Sequence, residues 1–216
     1  MSDSNIINFY QTIKSHKTHN PYYEVHRIKL PFRALVCTSS GGGKSNLVLN
    51  LLYEMHLTYH KIVICTKAPE PLYDMLKDRL KDKVEIYYDT IPELSKMPKG
   101  ENGIIIFDDM VLDKGRPQIG QMFIRGRKLG YSSIFITQSF FGTPKIIRQN
   151  VNYVWIGRGM MKRDLRLILS EYALGISVDE LESLYNELTR EAMNFMLIDL
   201  DHRTLRHNIK KIIKQL

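Results

Sequence analysis

Short apolar runs alternate with longer amphipathic segments along the chain. The run at 103–109, GIIIFDD, is apolar without the polar alternation of a half-exposed strand, as strands covered on both faces of a sheet are. From this and similar runs we predict strands at 32–38, 61–66, 84–88, 103–109, 133–139 and 153–157. Several of the intervening segments have helical periodicity or helix-start signals, such as the capping pair Ser177 and Glu180. We predict helices at 45–57, 69–80, 117–130, 143–150, 162–175 and 177–189.

This alternation of strands and helices predicts the fold class. It indicates an α/β domain with an open, mostly parallel sheet and helices on both faces. Residues 194–209 are predicted to form a C-terminal antiparallel hairpin. A basic tail follows it, either as a solvated helix or as a contact with DNA, a capsid or a membrane component. We interpret residues 1–30 as an N-terminal arm with a short strand, ahead of a single domain at 31–216.

A glycine-rich segment between the first strand and the first long helix is a candidate phosphate loop. The sequence TSSGGGKS at 38–45 ends in the glycine, lysine and serine of the pattern GxxxxGK[ST], although Thr38 replaces its first glycine. Such a loop turns backbone N–H groups toward an anion, and the following helix adds its positive end. We expect Lys44 to reach the outer phosphates of a nucleotide and Ser45 to hold Mg²⁺. The predicted cradle contains Ser40, Gly41, Gly42, Gly43, Lys44, Ser45 and Asn46.

Polar residues at the ends of two later strands are the predicted partners of this loop. Asp108 and Asp109 end the apolar strand IIIF, at the carboxyl edge where open α/β sheets bind ligands. Asp108 suits the coordination of Mg²⁺, and Asp109 could polarise an attacking water. Gln138 ends the strand at 133–139, where an amide can sense the γ-phosphate or orient water.

Composition and charge restrict the partners only weakly. The chain has 216 residues, of which 44% are hydrophobic and 25% charged, which suits a globular domain. No apolar run is long enough for a membrane helix, and Cys37 and Cys65 lie in apolar runs typical of buried free thiols. The net charge of +8 is partly clustered at 125–128, 161–166 and 202–216. It is compatible with a polyanion, nucleic acid first, or with a solvated surface.

The motifs together resemble the FtsK–HerA superfamily of DNA-pumping ATPases, which implies a RecA-like P-loop NTPase domain. Within it, the chain is similar to the genome-packaging ATPases of large eukaryotic DNA viruses, the poxvirus type. The resemblance rests on TSSGGGKS, on IIIFDD, and on the spacing from Arg127 through Gly130 to Gln138. Asp109 departs from the pattern, since many relatives have Glu there.

The resemblance implies ATP and Mg²⁺ as ligands, hydrolysis of ATP, and packaging of double-stranded DNA into a capsid. It places the protein in the host-cell cytoplasm, in a viral factory, or in the virion. Motors of this type work as homo-oligomeric rings, here a pentamer or hexamer. A neighbouring subunit's arginine then completes each nucleotide site. Arg127 is the first candidate for this trans role, followed by Arg148 and Arg125.

Two loops are candidates for contacts with DNA in a central channel, since their lysines and arginines could grip phosphates without reading bases. The candidate residues are Lys114, Gly115 and Arg116 in one loop, and Phe140, Phe141 and Lys145 in the other. The alternative is that both loops are solvated and that the two phenylalanines belong to the core.

Three other functions stay open on the sequence. The chain could be another FtsK–HerA-type DNA pump, a nucleoside-type P-loop kinase, or a non-enzymatic DNA- or capsid-binding protein with a decayed nucleotide site. A kinase would need an arginine-bearing lid and an acceptor pocket, and neither is evident. Thr38 keeps the decayed site open as an alternative, whereas four intact residues argue against it: Lys44, Ser45, Asp108 and Gln138.

Overall fold

The computed structural model describes residues 18–110 and 117–216, and in these ranges the chain forms an α/β domain. Its strands are β1 (Arg33–Cys37), β2 (Lys61–Thr66), β3 (Val84–Tyr88), β4 (Gly103–Asp108), β5 (Tyr131–Thr137), β6 (Tyr153–Gly157), β7 (Phe195–Asp199), β8 (Thr204–His207) and β9 (Lys211–Gln215). Its α-helices are α1 (Tyr23–His26), α2 (Lys44–Glu54), α3 (Pro71–Leu80), α4 (Pro117–Arg125), α5 (Lys145–Arg148), α6 (Lys162–Glu171) and α7 (Val178–Leu188). Among the described residues, no helix is both long and apolar enough to cross a membrane.

The strands of the described ranges join into one sheet with the order β3-β2-β4-β5-β1-β6-β7-β8-β9. All pairings from β3 to β6 are parallel, and those from β6 to β9 are antiparallel. Cys37 is aligned with Thr137, and Asp108 with Ile136. The carboxyl ends of β1, β4 and β5 therefore lie side by side, which confirms the predicted fold class and brings three motifs to one edge.

Two apolar clusters cover the faces of the sheet. On β1, Leu35 packs in one cluster with residues of α4, α6 and α7, while Val36 packs in the other with residues of α2 and α3. Because successive side chains of a strand point to opposite faces, a strand covered on both sides must be apolar throughout. The unalternating runs in the sequence have this physical origin.

The C-terminal tail differs from the prediction. Its residues form β9, an edge strand that pairs with β8 and extends the predicted hairpin to three antiparallel strands. A helix was one of the expected alternatives, and it is wrong for Lys211–Gln215. The edge of β8 offers unpaired backbone groups, and the tail satisfies them by pairing rather than by local helical bonds.

The described part of the N-terminal arm contains a helix. Residues 18–30 form the short helix α1 and no strand, and a strand before residue 18 would lie outside the described residues. Arg206 is fully buried, and its guanidinium donates hydrogen bonds to the carbonyls of His26 (3.0 Å) and Arg27 (3.3 Å). These contacts hold the segment in a turn, and Ile28 enters the core behind it. The domain boundary at residue 30 stays a prediction.

Candidate nucleotide-binding site

The segment after β1 folds back on itself before α2 begins. The Gly42 N–H donates to the Ser39 carbonyl at 3.1 Å, and Gly41 and Gly43 have φ of +71° and +85°. These values lie in the left-handed region that glycine tolerates best. Gly43 is the N-cap of α2 and offers no side-chain cap to the first N–H groups of the helix. The helix start is therefore available to an anion, as a phosphate loop requires.

Thr38 is accommodated by two glycines. Its side chain is fully buried, and its hydroxyl donates to the Arg158 carbonyl at 2.9 Å. A Cβ added at Gly42 would lie 2.2 Å from the Thr38 hydroxyl, and one added at Gly157 would lie 2.5 Å from it. The threonine thus fills the space between the loop and the end of β6, and the turn of the phosphate loop is retained despite the departure from the pattern.

The carboxylate of Asp108 lies at the end of β4, almost completely buried. Its Oδ2 accepts a hydrogen bond from the Tyr73 hydroxyl at 2.6 Å. Burial raises the pKa of Asp108, and the charge of Asp109 raises it further, while the Tyr73 hydrogen bond and the nearby Lys44 ammonium lower it. Lys44 is therefore close enough to act on this carboxylate.

Asp109 and Gln138 meet beside this carboxylate. The Gln138 side-chain amide donates to the Asp109 Oδ2 at 3.2 Å, and both side chains are exposed. Asp109 has φ of +53°, in the left-handed region, where aspartate and asparagine occur more often than most residues. Its N–H donates to the Ile136 carbonyl of β5 at 3.4 Å. The strand end thus turns the carboxylate toward Gln138, and the two predicted partners of the γ-phosphate are neighbours.

A side chain of α6 holds the backbone of the loop after Gln138. The buried carboxylate of Asp164 accepts the N–H groups of Phe140 (2.8 Å) and Phe141 (3.4 Å). Phe140 is fully buried and belongs to the core, whereas Phe141 is 64% exposed. The Arg163 guanidinium lies 4.9 Å from the centre of the Phe141 ring. The alternative that both phenylalanines belong to the core is thus true of Phe140 but not of Phe141.

The candidate arginines occupy different places. Arg127 is exposed in the 3₁₀ turn before β5. Burial lowers the pKa of Arg33 at the start of β1, and the charge of Arg127 lowers it further. Arg127 therefore lies at the amino edge of the sheet, one strand length from the phosphate loop of its own chain. Arg148 binds Glu171 at 2.8 Å and the Thr143 carbonyl at 3.1 Å.

The remaining candidate residues are placed as follows. Arg125, Ser40 and Lys145 are exposed. The side-chain amide of Asn46 lies 3.8 Å from the Met193 sulfur. Lys114, Gly115 and Arg116 lie outside the described residues. The roles of all these residues stay predictions.

Four residues near the site are missing from the sequence predictions: Tyr73, Asp164, Arg158 and Met193. Arg158 follows β6 and is exposed at the carboxyl edge, where its carbonyl also accepts the Ser39 hydroxyl at 3.1 Å. Met193, with φ of +63°, lies so close to Gly43 that an added Cβ would be 3.2 Å from its Cγ. Only the position of Arg158, directly after an apolar run, carried a signal in the sequence.

The chemistry of Ser45 and Asp108 fits a magnesium ion. A hydroxyl and a carboxylate are hard oxygen donors, and Mg²⁺ in nucleotide sites is held by one or two such groups together with phosphates and waters. Among the described residues, Asp108 forms no ion pair, so its buried charge has no full protein counter-charge. A bound cation would supply that compensation.

Comparisons with known proteins identify the fold. A scan against protein-family models finds no match, and a search of curated proteins finds no relative. Solved structures, in contrast, are similar. The genome-packaging NTPase B204 of Sulfolobus turreted icosahedral virus 2, in complex with ATPγS, matches with a TM-score of 0.60 and 16% identity, over 86% of this chain and 100% of that one.

Two further structures agree with this match. The DNA-packaging ATPase B204 of Sulfolobus turreted icosahedral virus gives a TM-score of 0.59 and 15% identity, over 87% of this chain and 100% of that one. The cytoplasmic domain of the type VII secretion ATPase EccC of Thermomonospora curvata gives 0.57 and 14%, over 83% of this chain and 25% of that one. At such identities the likeness concerns the fold, and this chain has the RecA-like α/β fold of P-loop ATPases.

Proposed function

We propose that the chain is an ATP-hydrolysing motor of the FtsK–HerA type that packages double-stranded DNA into a viral capsid. One observation carries the proposal: the phosphate loop, the paired Asp108 and Asp109, and Gln138 meet at one edge of a sheet whose fold is similar to that of a viral packaging NTPase. We further propose that the protein belongs to the poxvirus type of these motors. It would act in the host cytoplasm, in a viral factory, or in the virion.

The geometry supports a division of labour for hydrolysis. The loop N–H groups and Lys44 would bind the phosphates, while Ser45 and Asp108 would hold Mg²⁺. When bound, Mg²⁺ neutralises charge on the phosphate oxygens. Asp109 would accept a hydrogen bond from the attacking water, and Gln138, 3.2 Å from that carboxylate, would orient the water and report loss of the γ-phosphate.

The exposed surface next to Gln138 supports a contact with DNA. Phe141 and Arg163 stack there, and Met161, Lys162 and Lys145 are also exposed. Lysine and arginine bind phosphates without reading sequence, as a packaging motor needs. Asp164 fixes the backbone of Phe140 and Phe141, so a shift of Gln138 would be transmitted to this surface.

The position of Arg127 supports a role in trans. At the amino edge of the sheet, Arg127 cannot reach the phosphate loop of its own chain. That loop follows the carboxyl end of β1, and the five residues of this strand separate the two edges. In a homo-oligomeric ring of five or six subunits, this edge would face the neighbouring subunit's nucleotide. There the guanidinium would stabilise charge in the transition state.

The main test measures ATP hydrolysis with and without double-stranded DNA for the natural chain, Lys44→Ala and Lys83→Ala. We expect DNA to stimulate turnover, and we expect Lys44→Ala to reduce it by roughly 100-fold or more. Lys83→Ala, which removes an exposed lysine just before the edge strand β3, should leave it unchanged. Phosphorylation of a nucleoside without any effect of DNA would instead identify a kinase, and nucleotide binding without turnover a decayed site.

A mixing experiment tests the trans role. Arg127→Ala subunits, added to natural ones, should reduce DNA-stimulated hydrolysis more steeply than their fraction in the mixture, because each variant disables a neighbour's site. Lys128→Ala subunits, altered at an adjacent exposed residue, are the matched control. A loss proportional to the fraction of Arg127→Ala subunits would rule the trans role out.

A further inference from the structure

The Tyr73 hydroxyl contacts one of the two residues predicted to hold the metal. Tyr73 lies in α3, and only 1% of the residue is exposed. Its hydroxyl donates to the Asp108 Oδ2 at 2.6 Å. One buried hydroxyl of α3 therefore contacts the carboxylate at the end of β4.

The ring of Tyr73 lies in apolar surroundings, which makes its polar hydroxyl notable. The ring packs in the apolar cluster between the sheet and α2, together with Leu47 and Ile106. A phenylalanine would fill this cluster equally well, whereas a buried hydroxyl costs free energy unless it is hydrogen-bonded. The tyrosine oxygen is therefore useful at this position through its contact with the Asp108 carboxylate.

The hydroxyl acts as a neutral donor. The Tyr73 O–H donates to the Asp108 Oδ2 at 2.6 Å, so the group that faces the carboxylate is an uncharged hydroxyl. A neutral donor on a carboxylate forms a charge-assisted bond without cancelling the negative charge. The carboxylate is thus held in one orientation and still attracts a cation. Metal-ligating carboxylates are commonly oriented by such outer hydrogen bonds.

We propose that Tyr73 is a positioning residue for the magnesium site: it holds the Asp108 carboxylate in place before the nucleotide and its metal arrive. The proposal rests on the proposed function, because it requires a nucleotide site that uses Mg²⁺. It concerns affinity for the metal, since the Tyr73 hydroxyl contacts the carboxylate predicted to bind the metal.

The test compares Tyr73→Phe with Tyr59→Phe in the full chain. Tyr59 is also buried, but it precedes β2 at the opposite edge of the sheet, where its hydroxyl contacts the Met55 sulfur at 3.6 Å. Binding of a fluorescent ATP analogue is measured in EDTA and then as a function of Mg²⁺ concentration. Thermal unfolding of each variant is recorded alongside.

We expect Tyr73→Phe to bind the analogue in EDTA with an affinity within about twofold of the natural chain, which also reports a folded phosphate loop. The Mg²⁺ concentration for half-maximal enhancement of binding should rise by about tenfold, and saturating Mg²⁺ should restore most of the binding. Tyr59→Phe should not change this Mg²⁺ concentration. In the Asp108→Asn background, Tyr73→Phe should add no further shift.

The outcomes separate this inference from the proposed function. If Tyr73→Phe requires the same Mg²⁺ concentration as the natural chain, or a lower one, Tyr73 does not position the site, while nucleotide binding and the proposed function stand. If the natural chain binds the analogue but gains nothing from Mg²⁺, the inference also fails alone. If the natural chain does not bind the analogue, the proposed function fails and the role of Tyr73 fails with it.

Discussion

Two buried carboxylates at different places in the sheet have opposite environments. Asp108, at the end of β4, accepts its hydrogen bond from the neutral Tyr73 and forms no ion pair among the described residues. Asp199, at the end of β7, is fully buried and pairs with the buried Arg206 and with His202 Nδ1 at 2.8 Å. It also accepts the backbone N–H groups of Asp201 and His202, each at 3.0 Å.

The two carboxylates differ in how their charge is balanced by the described residues. The Asp199 cluster is balanced within the chain, because Arg206 supplies the opposite charge and donates its other N–H groups to carbonyls of the N-terminal segment and of Ile209. Through these hydrogen bonds, the Asp199 cluster links α1 to the C-terminal strands. Among the described residues, Asp108 has no ion-pair partner, and the nearby Lys44 offsets only part of the effect of burial on its pKa. Buried charge that the protein does not balance is typical of a functional site.

The largest expected effect on stability is that of Arg206→Met. This change leaves Asp199 buried without its cation, and removing one member of a buried ion pair costs about 3–5 kcal/mol. We expect the melting temperature to fall by roughly 10 °C. Arg203→Met, at an exposed position of the same hairpin, is the control and should change stability by less than about 0.5 kcal/mol. Similar melting temperatures for the two variants would contradict the structural role of the Asp199 cluster.

Gly42→Ala should have the next largest effect, because its new Cβ would lie 2.2 Å from the Thr38 hydroxyl. Overpacking of this kind costs about 1–3 kcal/mol, and displacement of the loop should weaken ATP binding roughly 10- to 100-fold. Isothermal titration of an ATP analogue measures the affinity. Adding Thr38→Gly removes the clashing side chain and should restore part of it. If Gly42→Ala binds normally, the loop does not depend on this packing.

Asp108→Asn should change stability in the opposite direction. Burial raises the native pKa of Asp108, so the native state binds its proton more tightly than the unfolded state does. The charged carboxylate therefore destabilises the fold increasingly as pH rises from the ordinary carboxyl pKa through the raised native value. In EDTA, the variant should melt a few degrees above the natural chain at pH 7, and the gain should shrink near pH 4. A variant less stable than the natural chain at pH 7 would show that the charge is compensated.

The smallest effect on stability is expected for Asp109→Asn, since the side chain is exposed and asparagine tolerates φ of +53°. Stability should stay within about 0.5 kcal/mol, while ATP hydrolysis should fall by roughly 100-fold through loss of the base. The affinity for ATP should be retained. Single-turnover hydrolysis and analogue binding, measured on the same preparation, separate an effect on the rate of hydrolysis from an effect on the affinity for ATP. Undiminished hydrolysis would assign the activation of water to another residue.

Much of the site could be predicted because its signals are local. A glycine-rich turn between an apolar strand and a helix is visible as TSSGGGKS, and carboxylates directly after IIIF must lie at a strand end. Tyr73 could not be predicted in the same way, since its hydroxyl meets Asp108 across 35 positions of sequence. The same holds for Thr38 and Arg158, which are 120 positions apart. Such pairs depend on which strands and helices become neighbours, and periodicity does not specify that.

By itself, the sequence determined the alternation of strands and helices, the phosphate-loop turn and the strand-end positions of Asp108, Asp109 and Gln138, because each follows from short-range sterics and from burial on one or two faces. Only the tertiary structure decided that β1 lies between β5 and β6, that the basic tail pairs as β9, and that Arg206 is buried against Asp199. These features follow from long-range packing and charge compensation, which are set by the order of the strands.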